Sequence, residues 1–343
     1  METTVDYRRP EHRYEGFIAF HVTGMRMDEI DPAKPALRYI AKALNLSIEQ
    51  RFWLAWLYGS CYCVATAFYM LTHFPTLESM SDKALDEFWR HDKKKLLFTT
   101  DRHWVKANDL FPEMVKSYKQ FCRNGQVERF GELLTSNAHE SYLRVYETVA
   151  KELYYFSRFS IFTYLEALHN VTNIPMLPNG LDLRNALSSR NGLCFMLGKD
   201  TWVSGRHKPR VINDRQLEWL QRKLAELYAK LLRDHPEIPT NYWNLETSLC
   251  AYKKLFFCTR YVGYYIDRQM VEIRKMQSVA PKAADWDLLW QFRREHFHPG
   301  VLGEIGGWGG IRHEMLHHFM DTGELGDDMP SFTYRRKAVT AWS

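Results

Sequence analysis

No Gly-x-x-x-x-Gly-Lys-Ser/Thr loop occurs in the chain, no Gly-x-Gly-x-x-Gly follows a predicted strand, and no Gly-x-Ser-x-Gly elbow is present. These absences remove the P-loop nucleotidases, the dinucleotide-binding folds and the α/β-hydrolases. Strand signals are scarce, confined to Gly16–Val22 and Trp202–Val203, so the fold is expected to be overwhelmingly helical. No internal repeat is evident. Cysteine is sparse, at six of 343 residues. Most of the six lie inside apolar helical patterns, so reduced core thiols are expected rather than a disulfide framework. Cys61 and Cys63 lack a second pair at zinc-ribbon spacing. The first residues, with Asp6, Arg8, Arg9, Glu11 and His12 ahead of any apolar run, do not form an ordinary signal peptide.

What is present is apolar and aromatic. Apolar residues make up 45% and aromatic residues 15% of the chain, ample for a large core. The 46 Lys and Arg against 41 Asp and Glu give a net charge of +5, which suits an anionic partner without requiring one. Phe52 to Leu71 carries no charged residue, yet Gly59, Ser60, Thr66 and three tyrosines interrupt it, and no second span accompanies it. A buried central helix is expected there, not a membrane span.

Ser47 with Gln50 has the form of a capping box and predicts a helix running to about Thr72, before Pro75. Ser81 caps a second helix bearing Leu85, Phe88 and Trp89. Two threonines before Asp101 predict a further helix start that exposes Arg102 and Lys106 on one face. Residues 109–170 read as helical, interrupted near Gly125 and Asn137, and Gln216 to Arg233 is plainly amphipathic. Glu246 and Lys253, two turns apart on one predicted helix, are either an acid and a base or two ends of a solvated face.

Between Tyr155 and Asp200 an aromatic helix holding Arg158, Tyr164 and Glu166 leads through a Pro/Asn/Gly loop. It ends in a polar turn with Arg190, Asn191 and, beyond Gly198, Lys199. Such a stretch mounts polar groups on a rigid support. Near the end, His313, Glu314 and His317 satisfy the His-Glu-x-x-His zinc pattern, but Met320 stands where a metzincin needs glycine. A His-rich helix is the expectation, with no metal.

Six segments, in consistent order from about Ser47 to Lys254, resemble the phage amino acid:DNA transferases of thymidine hypermodification. They are Phe52-Trp53-Leu54-Ala55 with Tyr58-Gly59; Phe74-Pro75; Leu97-Phe98-Thr99-Thr100-Asp101-Arg102 with Lys106; Phe159 through Glu166; Arg190-Asn191-Gly192-Leu193-Cys194 with Leu197-Gly198; and Leu245 through Lys253. Cys61-Tyr62-Cys63 departs from the family's small polar residues.

The resemblance implies an enzyme that joins an amino acid, through its amino group, to the 5-methylene carbon of a pyrophosphorylated 5-hydroxymethyluracil in double-stranded phage DNA. Pyrophosphate would leave, without cofactor or metal, in the host cytoplasm during infection. It further implies a helical fold akin to DNA glycosylases, with base flipping. The division expected is an arm and short helix over 1–46, a helical transferase domain over 47–280, and a helical extension with a Gly-rich hinge over 281–343.

Under that chemistry Glu166, Asp101 and Glu246 are the expected acid–base carboxylates. Arg102, Lys106, Arg190, Lys199 and Lys253 would meet the pyrophosphate or the DNA, and Arg158 or Arg190 the amino acid's carboxylate. Tyr58, Tyr164 and Asn191 would hold the base. A helical glycosylase-like protein, a zinc hydrolase and a non-enzymatic helical binding protein are the competing readings.

Overall fold

The computed structural model describes residues 5–98, 110–203, 211–256, 260, 263–297 and 302. Among these, fourteen α-helices and one 3-10 turn account for the regular structure, and no strand is formed. The chain is therefore mainly α, as its composition implies. Both strand signals are helical instead. Gly16–Val22 lies within α1 (Arg13–Arg26), and Trp202 closes a 3-10 turn over Asp200–Trp202. The apolar cluster near Gly16 is short and dense enough to mimic a strand; an α-helix uses it because Phe17, Phe20 and His21 all become buried on one side.

The residues divide into two compact units. One comprises Met1–Pro32, Asn179–Arg268 and Arg294–Ser343; the other comprises Ala33–Pro178 and Gln269–Arg293. The stretch from Tyr155 to Asp200 crosses this division at Pro178, so its aromatic helix and its polar end belong to different units; the residues expected as a polar turn, Arg190 and Asn191 among them, form an α-helix over Leu187–Met196 instead.

The second unit holds α2 (Ala33–Ala43), α3 (Ile48–Cys61), α4 (Val64–His73), α5 (Asp82–Asp92), α6 (Leu110–Phe121), α7 (Gln126–Gly131), α8 (Ala138–Glu152) and α9 (Arg158–Thr172). Its centre is the pairing of α3 with α9. A methyl group at Gly59 would lie 2.7 Å from the Tyr164 Cβ, so only glycine lets the two helices approach this closely. Around them Trp53 stacks on Trp56 at 5.2 Å and Trp56 on Tyr118 at 4.8 Å between ring centres. The Trp53 indole N–H is satisfied by the Phe74 carbonyl at 2.8 Å.

The Ser47–Gln50 capping box forms in both directions. The helix it starts ends at Cys61 rather than near Thr72, because Tyr62 adopts the left-handed conformation with φ 53° and Cys63 is extended before α4 begins. The Tyr62 ring packs against Tyr58 and Phe159 at 5.5 and 5.7 Å, which gives the break a local stabilising contact. No helix among the described residues is long and apolar enough to cross a membrane.

The first unit holds α1, α10 (Leu187–Met196), α11 (Asp214–Asp234) and α12 (Tyr242–Phe256). The chain passes between the units again within α13 (Tyr264–Val279) and α14 (Trp286–His296). Asn213 caps α11 and its Leu217, Leu220, Leu224, Leu227 and Leu231 are buried, as the amphipathic pattern requires. Cys61, Cys63, Cys122, Cys194 and Cys250 are all buried free thiols.

His21 is fully buried between α1 and α12, with Nδ1 2.8 Å from Ser248 Oγ and Nε2 3.1 Å from Thr240 Oγ1. Burial, with a smaller contribution from His235, pushes its pKa down to about 3. The folded protein therefore keeps His21 neutral where an unfolded chain protonates it near 6.5. Its contribution to stability is complete above pH 6.5 and is lost progressively as pH falls towards 3, by about 1.4 kcal/mol per pH unit. Urea unfolding between pH 7 and 4.5 should show this slope in the wild type, and His21→Asn should flatten it.

Candidate active site

The first unit brings polar groups together where α10 packs on α12. This contact is backbone against backbone: a Cβ on Gly192 would lie 1.9 Å from the Leu249 carbonyl oxygen. The close approach fixes the residues on either side of Gly192. Arg190 is buried and donates through Nη1 to the carbonyls of Leu183 and Arg184, at 3.4 and 3.1 Å. Asn191 beside it is also buried.

From α12, Lys253 lies half-buried near Cys194, without a carboxylate partner among the described residues. Burial lowers the Lys253 pKa, and the neighbouring Lys254 lowers it further, against opposing contributions from Cys250 and Cys194. Cys194 is itself raised to about 11 by burial, with Arg190 and Lys253 pulling the other way. Cys250 completes the group, with Ser188 Oγ at 2.8 Å and the Lys254 ammonium donating to its sulfur at 3.3 Å. Arg260 stacks on the rings of Tyr264 and Tyr265 and bonds the Tyr265 hydroxyl. Glu246 stands half-buried on α12, two turns before Lys253.

Arg190, Lys253 and Lys254 are thus cations held partly out of water around two thiols. Such an arrangement favours an anion, because water screens partly buried cations poorly.

The second unit carries a different centre. Lys34 Nζ lies 3.1 Å from Glu166 Oε2, with side-chain exposures of 6% and 7%, and 5.1 Å from the centre of the Tyr58 ring. Tyr142 lies close enough to Glu166 and Arg158 to feel both charges, although burial is the main cause raising its pKa. Arg158 is half-buried in the first turn of α9. Glu166, Tyr58 and Arg158 are therefore drawn into one neighbourhood.

Lys34 was not among the residues singled out from sequence. The available signal was its position: Lys34, Leu37 and Ala41 share one helical face, which places a cation on an apolar stripe.

Tyr164 does not join Glu166. Two residues apart on a helix, their side chains leave on nearly opposite sides. Tyr164 turns towards α3, is fully buried, and its hydroxyl lies 3.4 Å from that of Tyr118. This is the placement of a core residue rather than of a stacking platform for a base. Lys199 is likewise separated from Arg190, at the opposite end of α10, where its ammonium lies over Trp202 and Trp219. Asp101, Arg102 and Lys106 lie outside the described residues, as do His313, Glu314 and His317.

Residues 26–261 match the family described as amino acid:DNA transferase, which is most of the chain. The chain belongs to this family. Its activity is accordingly amino acid transfer onto DNA, and its substrates are DNA and an amino acid. Similarity extends to a serinyltransferase of Salmonella phage ViI, 25% identical over 371 aligned residues that span all of this chain and 87% of the relative. No solved structure matches the chain. In this family setting the cation cluster is chemically apt, since the reaction must manage an anionic DNA substrate.

Proposed function

We propose that the protein joins an amino acid to the 5-methylene carbon of a pyrophosphorylated 5-hydroxymethyluracil in double-stranded DNA. The amine nitrogen attacks that carbon, the carbon–oxygen bond breaks, pyrophosphate departs, and the ammonium proton passes to a carboxylate. The observation that carries this reading is the pair Arg190 and Lys253, one buried and one half-buried, set around Cys194 on helices locked together at Gly192. A leaving group with several negative charges is stabilised by such fixed cations as the bond breaks.

Asn191, next in the chain to Arg190, supplies an amide able to read a base edge. We assign the proton to Glu246, because it shares α12 with Lys253. Exclusion of water is the reason to draw the base out of the helix, because water competes with the amine for the activated carbon. Serine is the first donor to test, since the phage ViI relative is named a serinyltransferase.

Purified protein, a duplex carrying the pyrophosphorylated base and serine should release pyrophosphate and leave a nucleoside heavier by the amino acid, read by mass spectrometry. Arg190→Ala and Lys253→Ala should each reduce kcat by about 100-fold, the scale of losing one preorganised donor to a developing anion. Duplex affinity should change little. Release of a free base, or no pyrophosphate with any of the common amino acids, would overturn the proposal. Glu246→Gln and Glu166→Gln distinguish the two carboxylates, because only the proton acceptor's variant should lose the acidic limb of the pH–rate profile.

A further inference from the structure

Past the C-terminal end of α10 the chain makes a tight turn that is anchored from beneath. Gly198 takes φ 65°, a left-handed conformation that favours glycine. The Lys199 amide donates to the Cys194 carbonyl at 2.8 Å, and the Trp202 amide to the Lys199 carbonyl at 2.8 Å. Asp200 is held at 2.7 Å by Arg13, whose buried guanidinium lies 3.8 Å from the centre of the Phe195 ring.

On this fixed turn Trp202 meets Trp219 of α11 edge-on, with ring centres 5.4 Å apart and both indoles half-buried. The Lys199 ammonium lies 5.9 Å from one ring and 5.5 Å from the other. It has no carboxylate partner among the described residues, and within the same set neither indole N–H has a protein acceptor. Lys223 brings a second ammonium to 5.9 Å from Trp219, although Glu226 engages it at 2.6 Å.

An ammonium and two indole N–H donors beside aromatic faces form the pattern that meets phosphodiester oxygens and the sugars next to them. Their position is informative too. The ten residues of α10 measure about 15 Å, so this turn lies some four to five base pairs, at about 3.4 Å each, from the Arg190 end.

We infer that Lys199, Trp202 and Trp219 form a DNA-gripping surface that holds the phosphodiester backbone flanking the modified thymine. This rests on DNA as the substrate of the proposed reaction. It removes Lys199 from the pyrophosphate clamp and gives it a part in binding the duplex.

The test is anisotropy of a fluorescein-labelled duplex of about 20 base pairs, containing 5-hydroxymethyluracil at its centre, titrated across a salt series. Trp202→Ala and Trp219→Ala should each weaken binding about tenfold, the scale of losing one aromatic contact. Lys199→Ala should lower the slope of log affinity against log salt by about 1. All three should raise the KM for DNA and leave kcat at saturation unchanged. Trp219→Phe, which keeps a ring, should retain most of the affinity and controls for folding. Trimming the flanks to about three base pairs should cost the wild type what the variants lose.

Wild-type affinity and slope in all three alanine variants, or undiminished binding of the trimmed duplex, would overturn the inference while leaving the transferase reading intact. A wild-type protein that binds no duplex at all would overturn that reading, and this surface with it.

Discussion

Gly192→Ala is expected to be among the most damaging single-methyl additions in the chain. The added carbon would lie 1.9 Å from the Leu249 carbonyl oxygen and 2.5 Å from its carbon. Neither atom can rotate away, since both are backbone inside α12. The two helices must therefore separate by more than an ångström, and the overpacking should cost about 3 kcal/mol. The functional loss should exceed the loss of stability. Arg190 and Asn191 stand immediately before Gly192, and displacing a positioning group by about 1 Å is enough to cost about 100-fold in turnover. Thermal unfolding and kcat measured well below the midpoint check both parts. Gly131→Ala is the matching control, because nothing lies within 4 Å of its added methyl. An unchanged melting temperature and unchanged turnover in Gly192→Ala would refute this account of the α10–α12 contact.

The second large effect concerns Lys34 and Glu166. Removing one member of a buried ion pair leaves the other charged and poorly solvated, which costs about 3–5 kcal/mol. Lys34→Met and Glu166→Gln should each lose stability on that scale. The double variant should recover most of it, because two neutral groups carry no uncompensated charge. The deficit of Lys34→Met should shrink as pH falls, since protonation makes the isolated Glu166 carboxyl cheaper to bury. Urea denaturation at pH 7 and pH 5 measures this. Single variants within 1 kcal/mol of the wild type, taken here as about the scale of an exposed pair, would show that the pair is solvated. The double variant also separates structure from chemistry. If its stability returns but turnover does not, the pair belongs to the site; if both return, it is an element of the core.

The pairing explains why sequence reading reached Glu166 but misjudged its neighbours. Glu166 stands out as a carboxylate closing an aromatic run, whereas its partner lies in α2, over 130 positions earlier. Helical periodicity placed Leu217 to Leu231 on one face of α11 and located the Ser47 and Ser81 caps, because those features depend on residues three and four apart. The same periodicity could have separated Tyr164 from Glu166, since two positions along a helix turn the side chain to the other side. Tyr62 marks another boundary: nothing in the apolar run from Phe52 to Leu71 signals that one tyrosine will take a left-handed conformation and divide the helix.

Sequence alone determined that the chain is helical, where the helices capped by Ser47 and Ser81 begin, and, through six segments in order, its family. Those properties are local, set by caps, periodicity and short motifs. Tertiary structure decided that Arg190 and Lys253 both act on Cys194, that Lys34 neutralises Glu166, and that Lys199 belongs with two tryptophans rather than with Arg190. These depend on which helix packs against which. That choice is made by close approaches such as Gly192 on Leu249 and Gly59 on Tyr164, where a missing side chain acts only once its distant partner is in place.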